Sequence, residues 1–260
     1  MKILFVGDIV GEPGREAFLK HVPLMRINGE VDFIVVNAEN AAAGSGITEK
    51  ITKEIFAAGA DVIVLGDHAW DRKEVYALLG SEERLLRPAN FPAAAPGHGS
   101  CVVTGPKGVK VGVSILMGRT FMKYLVDNPF TVADIEIGKM KEAGAVIIVA
   151  DIHAEATSEK IAFAHYVDGR MSAVIGTHTH VQTADEIVLS GGTAYLTDAG
   201  MTGPYDSVIG TVKGAIIERY LTGVPNKFEV AKGPGTLCGA IVDVDETSGK
   251  ARGIVRVQRT

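Results

Sequence analysis

Residues 174–183 read VIGTHTHVQT, in which an apolar run ends in two histidines separated by a single threonine. The whole chain has seven histidines, so this pair is a local concentration of imidazole groups. Residues 173–175 have the pattern of a buried strand, which places His178 and His180 just beyond its carboxyl end. Residues i and i+2 of an extended chain project to the same side, about 6–7 Å apart. We therefore expect the two imidazoles to face one site.

Four more apolar runs precede polar residues in the same way, at residues 3–6, 33–36, 62–65 and 146–149. Most of these runs are continuous rather than alternating, which is typical of strands covered on both faces. Helical patterns lie between the strands, at residues 13–27, 48–58, 131–143, 154–167 and 208–221. The alternation of strand and helix indicates parallel βαβ units.

Two stretches interrupt this alternation and have the pattern of β-hairpins. Residues 101–104 and 109–116 flank the turn GPKG, and residues 237–244 and 253–259 close the chain. Antiparallel pairs of this kind make the sheets mixed, so we predict an α/β fold with two mixed sheets. The sequence has no linker, low-complexity segment or internal repeat, and we predict a single domain over residues 1–260.

The composition argues against a broad nucleic-acid or membrane surface. Lysine and arginine total 26 against 31 acidic residues, for a net charge of −5. A small phosphate-bearing ligand stays compatible with this charge, because a metal ion can supply positive charge locally. The beginning of the chain, MKILFVGDIV, is too short and too acidic for a signal peptide, and no apolar run is long enough to span a bilayer. We expect a cytoplasmic protein.

The polar residues after the five strand-like runs carry carboxylate, amide and imidazole groups. They are Asp8, Glu39, Asn40, Asp67, His68, His153, His178 and His180. Ligands of open α/β sheets bind beyond the carboxyl ends of the strands, so we expect these side chains to share one edge. Oxygen and imidazole ligands in this mixture suit manganese, iron or zinc better than calcium.

Each of these residues also has a structural interpretation when it is considered alone. An aspartate after a strand is often a turn or cap residue, Glu39 could be a solvated loop acid, and Asn40 could cap a turn. His68 and His153 could each make structural hydrogen bonds, and Asp71 has the position of a helix cap. The paired histidines and the repetition of the pattern after five runs favour a metal site.

A pair of metal ions fits the candidate ligands. Catalytic metal pairs lie about 3.5–4 Å apart, and His178 and His180 could each bind a different ion at about 2.1 Å. A carboxylate must then bridge the ions, and Glu39 is the candidate. Such pairs commonly hydrolyse phosphate esters. The leaving alkoxide needs a proton donor, and His68, which follows Asp67, fits that role.

Several stretches resemble a known family. Gly7-Asp8, Gly66-Asp67-His68 and the GTHTH at residues 176–180 resemble the motifs of calcineurin-like metallophosphoesterases. More closely, the chain resembles their bacterial YmdB-like family, in the stretches GDIVGEPGR, NAENAAAGSGIT, RPANFP, DIHAEATSEK, GTHTHVQTAD and TDAGMTGPYD. The resemblance implies an αββα sandwich of two mixed sheets flanked by helices, and assembly into a homo-oligomer.

The resemblance also implies a reaction and a ligand set. The reaction is hydrolysis of phosphodiesters by a metal-bridging hydroxide, on 2′,3′-cyclic nucleotides, with 3′,5′-cyclic nucleotides and phosphomonoesters as further candidates. The metals are two ions, iron or manganese, with zinc as the alternative. By motif position one ion takes Asp8, Glu39, Asn40 and His180, the other takes Glu39, Asp67, His153 and His178, and His68 is the proton donor.

Two positions depart from the related patterns. The general superfamily has Asp-x-His at the first motif, whereas Ile9 and Val10 follow Asp8, and Asn40 fills the place of the missing histidine. The YmdB-like pattern has asparagine where this chain has Asp67. A third carboxylate lowers the net charge of the centre, and we hypothesise tighter metal binding, weaker electrophilicity and better tolerance of Fe³⁺.

Two other functions share some of these features. A Rossmann-type nucleotide-binding protein would share the βαβ start, but Gly7, Gly11 and Gly14 lack the G-x-G-x-x-G spacing, and the histidines stay unexplained. A non-enzymatic metal-dependent signalling or binding protein on the same scaffold would need the same ligands. Turnover on phosphoesters separates that second alternative from a phosphoesterase.

Overall fold

The computed structural model describes all 260 residues. The first half contains β1 (Lys2–Val6), α1 (Gly11–Ile27), β2 (Phe33–Asn37), α2 (Glu49–Ala57), β3 (Val62–Val64), α3 (Val75–Ser81), β4 (Leu85–Leu86), β5 (Ser100–Thr104) and β6 (Lys110–Met117). The second half contains α4 (Pro129–Glu142), β7 (Ile147–His153), α5 (Thr157–Val167), β8 (Ala173–Thr177), β9 (Ile187–Val188), β10 (Ala194–Leu196), β11 (Gly203–Pro204), α6 (Lys213–Thr222), β12 (Gly235–Val244) and β13 (Ala251–Arg259). No helix is both long enough and apolar enough to cross a membrane.

The strands form two mixed sheets, as the sequence predicts. The seven-stranded sheet has the order β11-β12-β1-β2-β3-β4, with β13 also paired to β12. Within it β1 to β4 are parallel, and β12 runs antiparallel to β1. The six-stranded sheet has the order β5-β6-β7-β8-β10-β9, with antiparallel strands at both edges. Both predicted hairpins, β5–β6 and β12–β13, are confirmed.

The two sheets pack face to face with helices on their outer faces. Alternate residues of β1 show this, because side chains of a strand point to opposite faces. Ile3 and Phe5 belong to a buried cluster that includes residues of both sheets. Leu4 and Val6 belong to a second cluster, together with residues of α1, α2 and α3. A third cluster joins the six-stranded sheet to α4 and α5. The αββα sandwich is therefore confirmed, whereas the single domain over residues 1–260 stays a prediction.

The helix starts follow local sequence signals. Thr48 caps α2, where its side chain accepts a hydrogen bond of 3.3 Å from the backbone N–H of Ile51. Asn128 caps α4 and accepts from the N–H of Phe130, and Pro129 follows at the first helical position. Proline is favoured there because that position has no intrahelical acceptor for an N–H.

Some elements differ from the sequence prediction. The helix predicted over residues 208–221 begins only at Lys213, because Ile209 and Gly210 have left-handed backbones with φ of 46° and 96°. The short strands β4, β9, β10 and β11 were not predicted, since two or three residues show no periodicity, and the seven-residue helix α3 was also not predicted. The two-sheet architecture is not the single open sheet of a Rossmann domain.

Candidate metal centre

The predicted ligands lie where the carboxyl ends of strands from both sheets meet. Asp8, Glu39 and Asp67 follow β1, β2 and β3 of the seven-stranded sheet. His153 ends β7 and His178 follows β8 of the six-stranded sheet. The sequence predicts one edge, whereas the structure brings together one edge from each of two stacked sheets. The prediction that these side chains converge is correct. The arrangement differs from the predicted single edge because the two sheets pack face to face.

Four side chains form a compact group of potential metal ligands. One ligand atom from each of Glu39, Asp67, His153 and His178 lies within 4.8 Å of all the others. The Nε2 of His153 is 2.9 Å from Asp67 Oδ1 and 3.2 Å from Glu39 Oε1. The Nδ1 of His178 is 3.3 Å from Asp67 Oδ1 and 3.1 Å from His153 Nε2. Four donor atoms that face one another at these distances can hold a cation.

The other predicted ligands lie beside Glu39. The side-chain amide of Asn40 is 3.2 Å from His180 Nε2 and 3.4 Å from Glu39 Oε1. The Oδ2 of Asp8 accepts from the backbone N–H of His178 at 3.1 Å, whereas its Oδ1 is buried and has no hydrogen-bond partner. An unpartnered buried carboxylate oxygen is costly. A cation beside Asp8 would satisfy this oxygen.

The backbone at the histidine pair differs from the extended chain that the sequence predicts. The strand β8 ends at Thr177, and His178 and His180 have φ of 95° and 65°. Left-handed backbone outside glycine costs about 1–3 kcal/mol per residue and persists only where the surroundings fix it. The pair therefore reaches the site through a turn, and the expectation that both rings project from a strand is wrong.

A buried ion pair fixes this turn. The Nζ of Lys160 donates to Asp198 at 2.8 Å and to the carbonyl of Thr177 at 2.6 Å, and both charged side chains are fully buried. Asp198 also accepts from the backbone N–H and the hydroxyl of Thr179, at 3.1 and 2.7 Å. Thr179 separates the two histidines, so these contacts hold the strained segment in place.

Gly66 gives His153 its position. A side-chain Cβ at residue 66 would lie 2.3 Å from His153 Nε2 and 2.4 Å from two ring carbons. Real Cβ atoms do not approach other atoms this closely, so any larger residue would displace the ring. Glycine in the Gly66-Asp67-His68 sequence therefore allows the imidazole of His153 to lie directly against the loop that carries Asp67.

His68 lies at the edge of the group and is partly accessible. Its backbone N–H donates to Glu39 Oε2 at 3.0 Å, and its Nδ1 is 2.7 Å from Asp71 Oδ2. The side chain is 38% exposed and lines a cavity together with Glu39 and His180. Asp71 was expected to cap a helix, but α3 begins at Val75, and Asp71 accepts from His68 and Ser45 instead. The bond to Asp71 leaves Nε2 of His68 for a substrate.

The sequence model of the YmdB-like protein family matches residues 4–257.

The chain belongs to the YmdB-like family.

Its relatives cover nearly its full length. It is 47% identical over 257 residues to a Bacillus subtilis protein named 2′,3′-cyclic-nucleotide 2′-phosphodiesterase. The alignment covers 99% of this chain and 96% of the Bacillus protein. A crystal structure of a hypothetical protein from Thermus thermophilus has a TM-score of 0.92 at 41% identity and covers 99% of this chain and 98% of the other. A crystal structure from Mycoplasma pneumoniae, described as a novel phosphatase, has a TM-score of 0.92 at 32% identity, with 99% and 92% covered.

A buried chain of hydrogen bonds lies behind His153 in this YmdB-like protein. His153 Nδ1 is 2.8 Å from the hydroxyl of Thr177, which donates to Asp151 Oδ1 at 2.6 Å. Asp151 also accepts from the amide of Asn37 at 3.0 Å, and burial raises the pKa of Asp151 to about 7. Because the hydroxyl gives its proton to Asp151, it accepts from Nδ1–H of His153. Nδ1 therefore carries a proton, and Nε2, which faces Glu39 and Asp67, is the nitrogen that would bind a metal ion after losing its own proton.

These supporting residues were not among the predicted site residues. Asp151 stands two positions before His153, and Thr177 directly precedes His178, so both are inside the quoted stretches DIHAEATSEK and GTHTHVQTAD. The signal that could have identified Asp151 is alternation, since residues i and i+2 of a strand point to one face. Nothing in the sequence indicates that Thr177 lies between Asp151 and His153.

The electrostatics of this YmdB-like site indicate an excess of buried negative charge. Burial raises the pKa of Asp8. Burial also favours the neutral form of Asp67, but hydrogen bonds from His153 and His178 outweigh it and hold the pKa of Asp67 well below its usual value. Burial opposes a charge on His153, yet Glu39 and Asp67 outweigh it and raise the pKa of His153. The lowered pKa of Asp67 keeps its carboxylate charged beside two imidazoles, and a charged carboxylate in this position suits a metal cation.

Replacing Thr177 with valine is expected to weaken metal binding. Valine has the same shape but cannot accept from His153 Nδ1, so the ring loses its fixed tautomer and orientation. Loss of such a partner typically lowers metal affinity about 10–100-fold. Competition with a metal-binding dye measures the affinity. Thr193→Val is the control, since Thr193 is also buried and its hydroxyl donates to Met171 instead. Equal affinities in all three proteins would contradict the role given to Thr177.

Proposed function

We propose that the protein is a metal-dependent phosphodiesterase that hydrolyses 2′,3′-cyclic nucleotides. The observation that carries the proposal is the convergence of Glu39, Asp67, His153 and His178 within 4.8 Å at the ends of strands from both sheets. The relative from Bacillus subtilis, 47% identical over almost the whole chain, supports the choice of reaction and substrate. We expect 3′,5′-cyclic nucleotides and phosphomonoesters to be poorer substrates.

We assign two metal positions to the chain. Asp67, His153 and His178 would hold one ion, Asp8, Asn40 and His180 would hold the other, and Glu39 would be shared. The position of Glu39 between His153 Nε2 and the amide of Asn40 supports this sharing. Iron and manganese suit the mixture of oxygen and imidazole donors, with zinc as the alternative. Assembly into a homo-oligomer stays a prediction from the family.

The side chains of the site divide the work of the reaction. When bound, a metal pair supplies Lewis acidity toward the phosphoryl oxygens and activates water as the nucleophile. His68 supplies the proton that the leaving oxygen needs when its bond to phosphorus breaks. In a 2′,3′-cyclic substrate cleaved at the 2′ position, O2′ takes that proton and the phosphate stays on O3′. Asp71 holds Nδ1 of His68 and so directs Nε2 toward that oxygen.

The environment of His68 favours the protonated imidazole that this role requires. Burial lowers the pKa of His68, but the carboxylates of Glu39, Asp67 and Asp71 outweigh burial and raise the pKa above its usual value. Of these three carboxylates, Asp71 is not a proposed metal ligand, so its stabilisation of the imidazolium does not depend on whether cations are bound. A proton donor must hold its proton when substrate binds, so this shift supports the assignment.

The proposed reaction is tested with one preparation reconstituted with manganese or iron. We expect it to hydrolyse a 2′,3′-cyclic nucleotide faster than a 3′,5′-cyclic nucleotide or an aryl phosphomonoester. A chelator should abolish turnover, and added metal should restore it. A metal-loaded protein that is inert on all three substrates would refute the proposal and favour a non-enzymatic metal-dependent binding function.

Replacing Asp67 with asparagine tests the effect of the third carboxylate. The charge of the ligands tunes metal affinity, so the amide is expected to weaken binding about tenfold or more. The bound ions should also become more electrophilic, which raises turnover at saturating metal. Metal content and kcat are measured with manganese and with iron, and Asp206→Asn is the control because Asp206 is 91% exposed. Unchanged metal preference and unchanged rate would remove the idea.

A further inference from the structure

A cavity of about 720 Å³ extends from the candidate metal centre to the part of the chain around α6. Its lining includes Glu39, His178 and His180 on the metal side. It also includes Tyr220 of α6 and Phe228 of the segment that follows. This volume lies within the usual range for small-molecule sites, about 300–1,000 Å³. The metal ligands occupy only part of the cavity, so the aromatic part needs its own explanation.

The aromatic part is fixed to the loops that carry the metal ligands. Residues 208–212 pair with residues 229–231, through hydrogen bonds of 2.9 Å from Val212 N to Glu229 O and 2.8 Å from Ala231 N to Gly210 O. The carbonyl of Ile209, in the same turn, lies 3.0 Å from His180 Nδ1. The segment before α6 and the segment after it are therefore held together, directly against a candidate ligand.

Two glycines allow this close approach. A Cβ at Gly11 would lie 2.8 Å from a methyl carbon of Val230, and one at Gly44 would lie 2.9 Å from the other methyl carbon. Gly11 lies shortly after Asp8, at the start of α1, and Gly44 lies in the loop after Asn40. Val230 therefore packs onto both segments, and Phe228, two residues earlier in the chain, lines the same cavity as Glu39 and His180.

The surface that these elements present is aromatic and exposed. Phe228 is 50% exposed and Tyr220 is 86% exposed, and α6 has no buried residue. The guanidinium carbon of Arg219 lies 5.0 Å from the centroid of the Phe228 ring. Proteins bind unpaired nucleobases by stacking them on aromatic rings and on arginine planes. The rings and the arginine plane suit a nucleobase, and the candidate metal centre suits a phosphate. Together they match the two ends of a nucleotide.

We propose that Tyr220, Phe228 and Arg219 form a subsite for the nucleobase of the substrate. The inference rests on the proposed function, since it places the phosphate at the metal ligands and the base on the rings. Stacking is tolerant of base identity, because every base has a π-face. The subsite therefore separates nucleotides from phosphoesters without a base, and it separates one nucleotide from another only weakly.

The test compares binding of adenosine 3′-monophosphate with binding of inorganic phosphate by the metal-loaded protein. Stacking of a base is worth a factor of about ten or more in affinity. The double substitution Tyr220→Ala with Phe228→Ala is expected to weaken nucleotide binding by about that factor and so to lower the preference for nucleotide over phosphate. Leu221→Ala is the matched control, because Leu221 is 81% exposed on the same helix but does not line the cavity.

The outcomes separate this inference from the proposed reaction. If the double variant keeps the wild-type preference for nucleotide over phosphate, the subsite is refuted. The subsite is also refuted if the double variant has a different oligomeric state from the wild-type protein. The rings would then belong to a contact between copies of the chain. A different result is that the wild-type protein hydrolyses no phosphoester but still binds the nucleotide more tightly than phosphate. If the double variant then loses this preference and Leu221→Ala keeps it, the reaction is refuted and the subsite stands.

Discussion

Glutamine in place of Glu39 is expected to remove bound metal and to lower turnover at least about a thousandfold, because the proposed metal pair would supply most of the catalysis. The substitution keeps size and shape but removes the charge. Glu39 is 1% exposed, with Oε1 at 3.2 Å from His153 Nε2 and Oε2 at 3.0 Å from the N–H of His68. The carboxylate of Glu39 is itself buried, so water compensates poorly for its lost charge, and both proposed metal positions share this carboxylate.

Metal content per chain and kcat on a 2′,3′-cyclic nucleotide measure the effect of Glu39→Gln. The matched control is Glu136→Gln, since Glu136 is a buried acid on α4 that bonds Ser100 and Lys139. We expect the control to keep its metal and its rate. Full metal content and undiminished turnover in Glu39→Gln would exclude this residue as the shared ligand.

Alanine in place of His68 is expected to lower kcat on a 2′,3′-cyclic nucleotide about 10²–10⁴-fold while metal content stays the same, since this is the usual contribution of a positioned proton donor. His68 lies outside the four-residue group of Glu39, Asp67, His153 and His178. Its loss should therefore affect the leaving oxygen and leave the metal positions in place.

A substrate with a good leaving group separates proton donation from other roles of His68. A p-nitrophenyl phosphodiester releases a stable phenolate, so its hydrolysis needs little proton donation. We expect His68→Ala to lose far less activity on this ester than on the cyclic nucleotide. His165→Ala, which changes an exposed histidine on α5, is the control. Equal losses on the two substrates would show that His68 does not act as the proton donor.

The strands and the residues that follow them were predictable from the sequence because their surroundings are simple. All five residues of β2 are buried, since the strand is covered by helices on one face and by the second sheet on the other. Such a strand is apolar along most of its length, and Asn37 at the end of β2 is its one polar residue. Glu39, Asp67 and His153 then stand out as polar residues where burial would otherwise favour apolar ones. Their position at strand ends can therefore be recognised from the sequence alone.

The contacts that position these ligands were not predictable, because they join residues distant in the chain. Lys160 and Asp198 are 38 residues apart, and only the folded chain shows that they form a buried pair behind Thr179. The turn at residues 208–212 was hidden by an apolar pattern that continues into α6. Its left-handed backbone at Gly210 is what places Ile209 against His180.

The most direct test of the metal assignment is a crystal structure of the manganese-loaded protein with anomalous scattering measured at the manganese edge. We predict one anomalous peak among Asp67, His153 and His178 and a second beside Asp8 and His180, with Glu39 between them. The two peaks should lie about 3.5–4 Å apart, as in catalytic metal pairs. Peaks elsewhere on the protein, or none at the ends of these strands, would contradict the assignment.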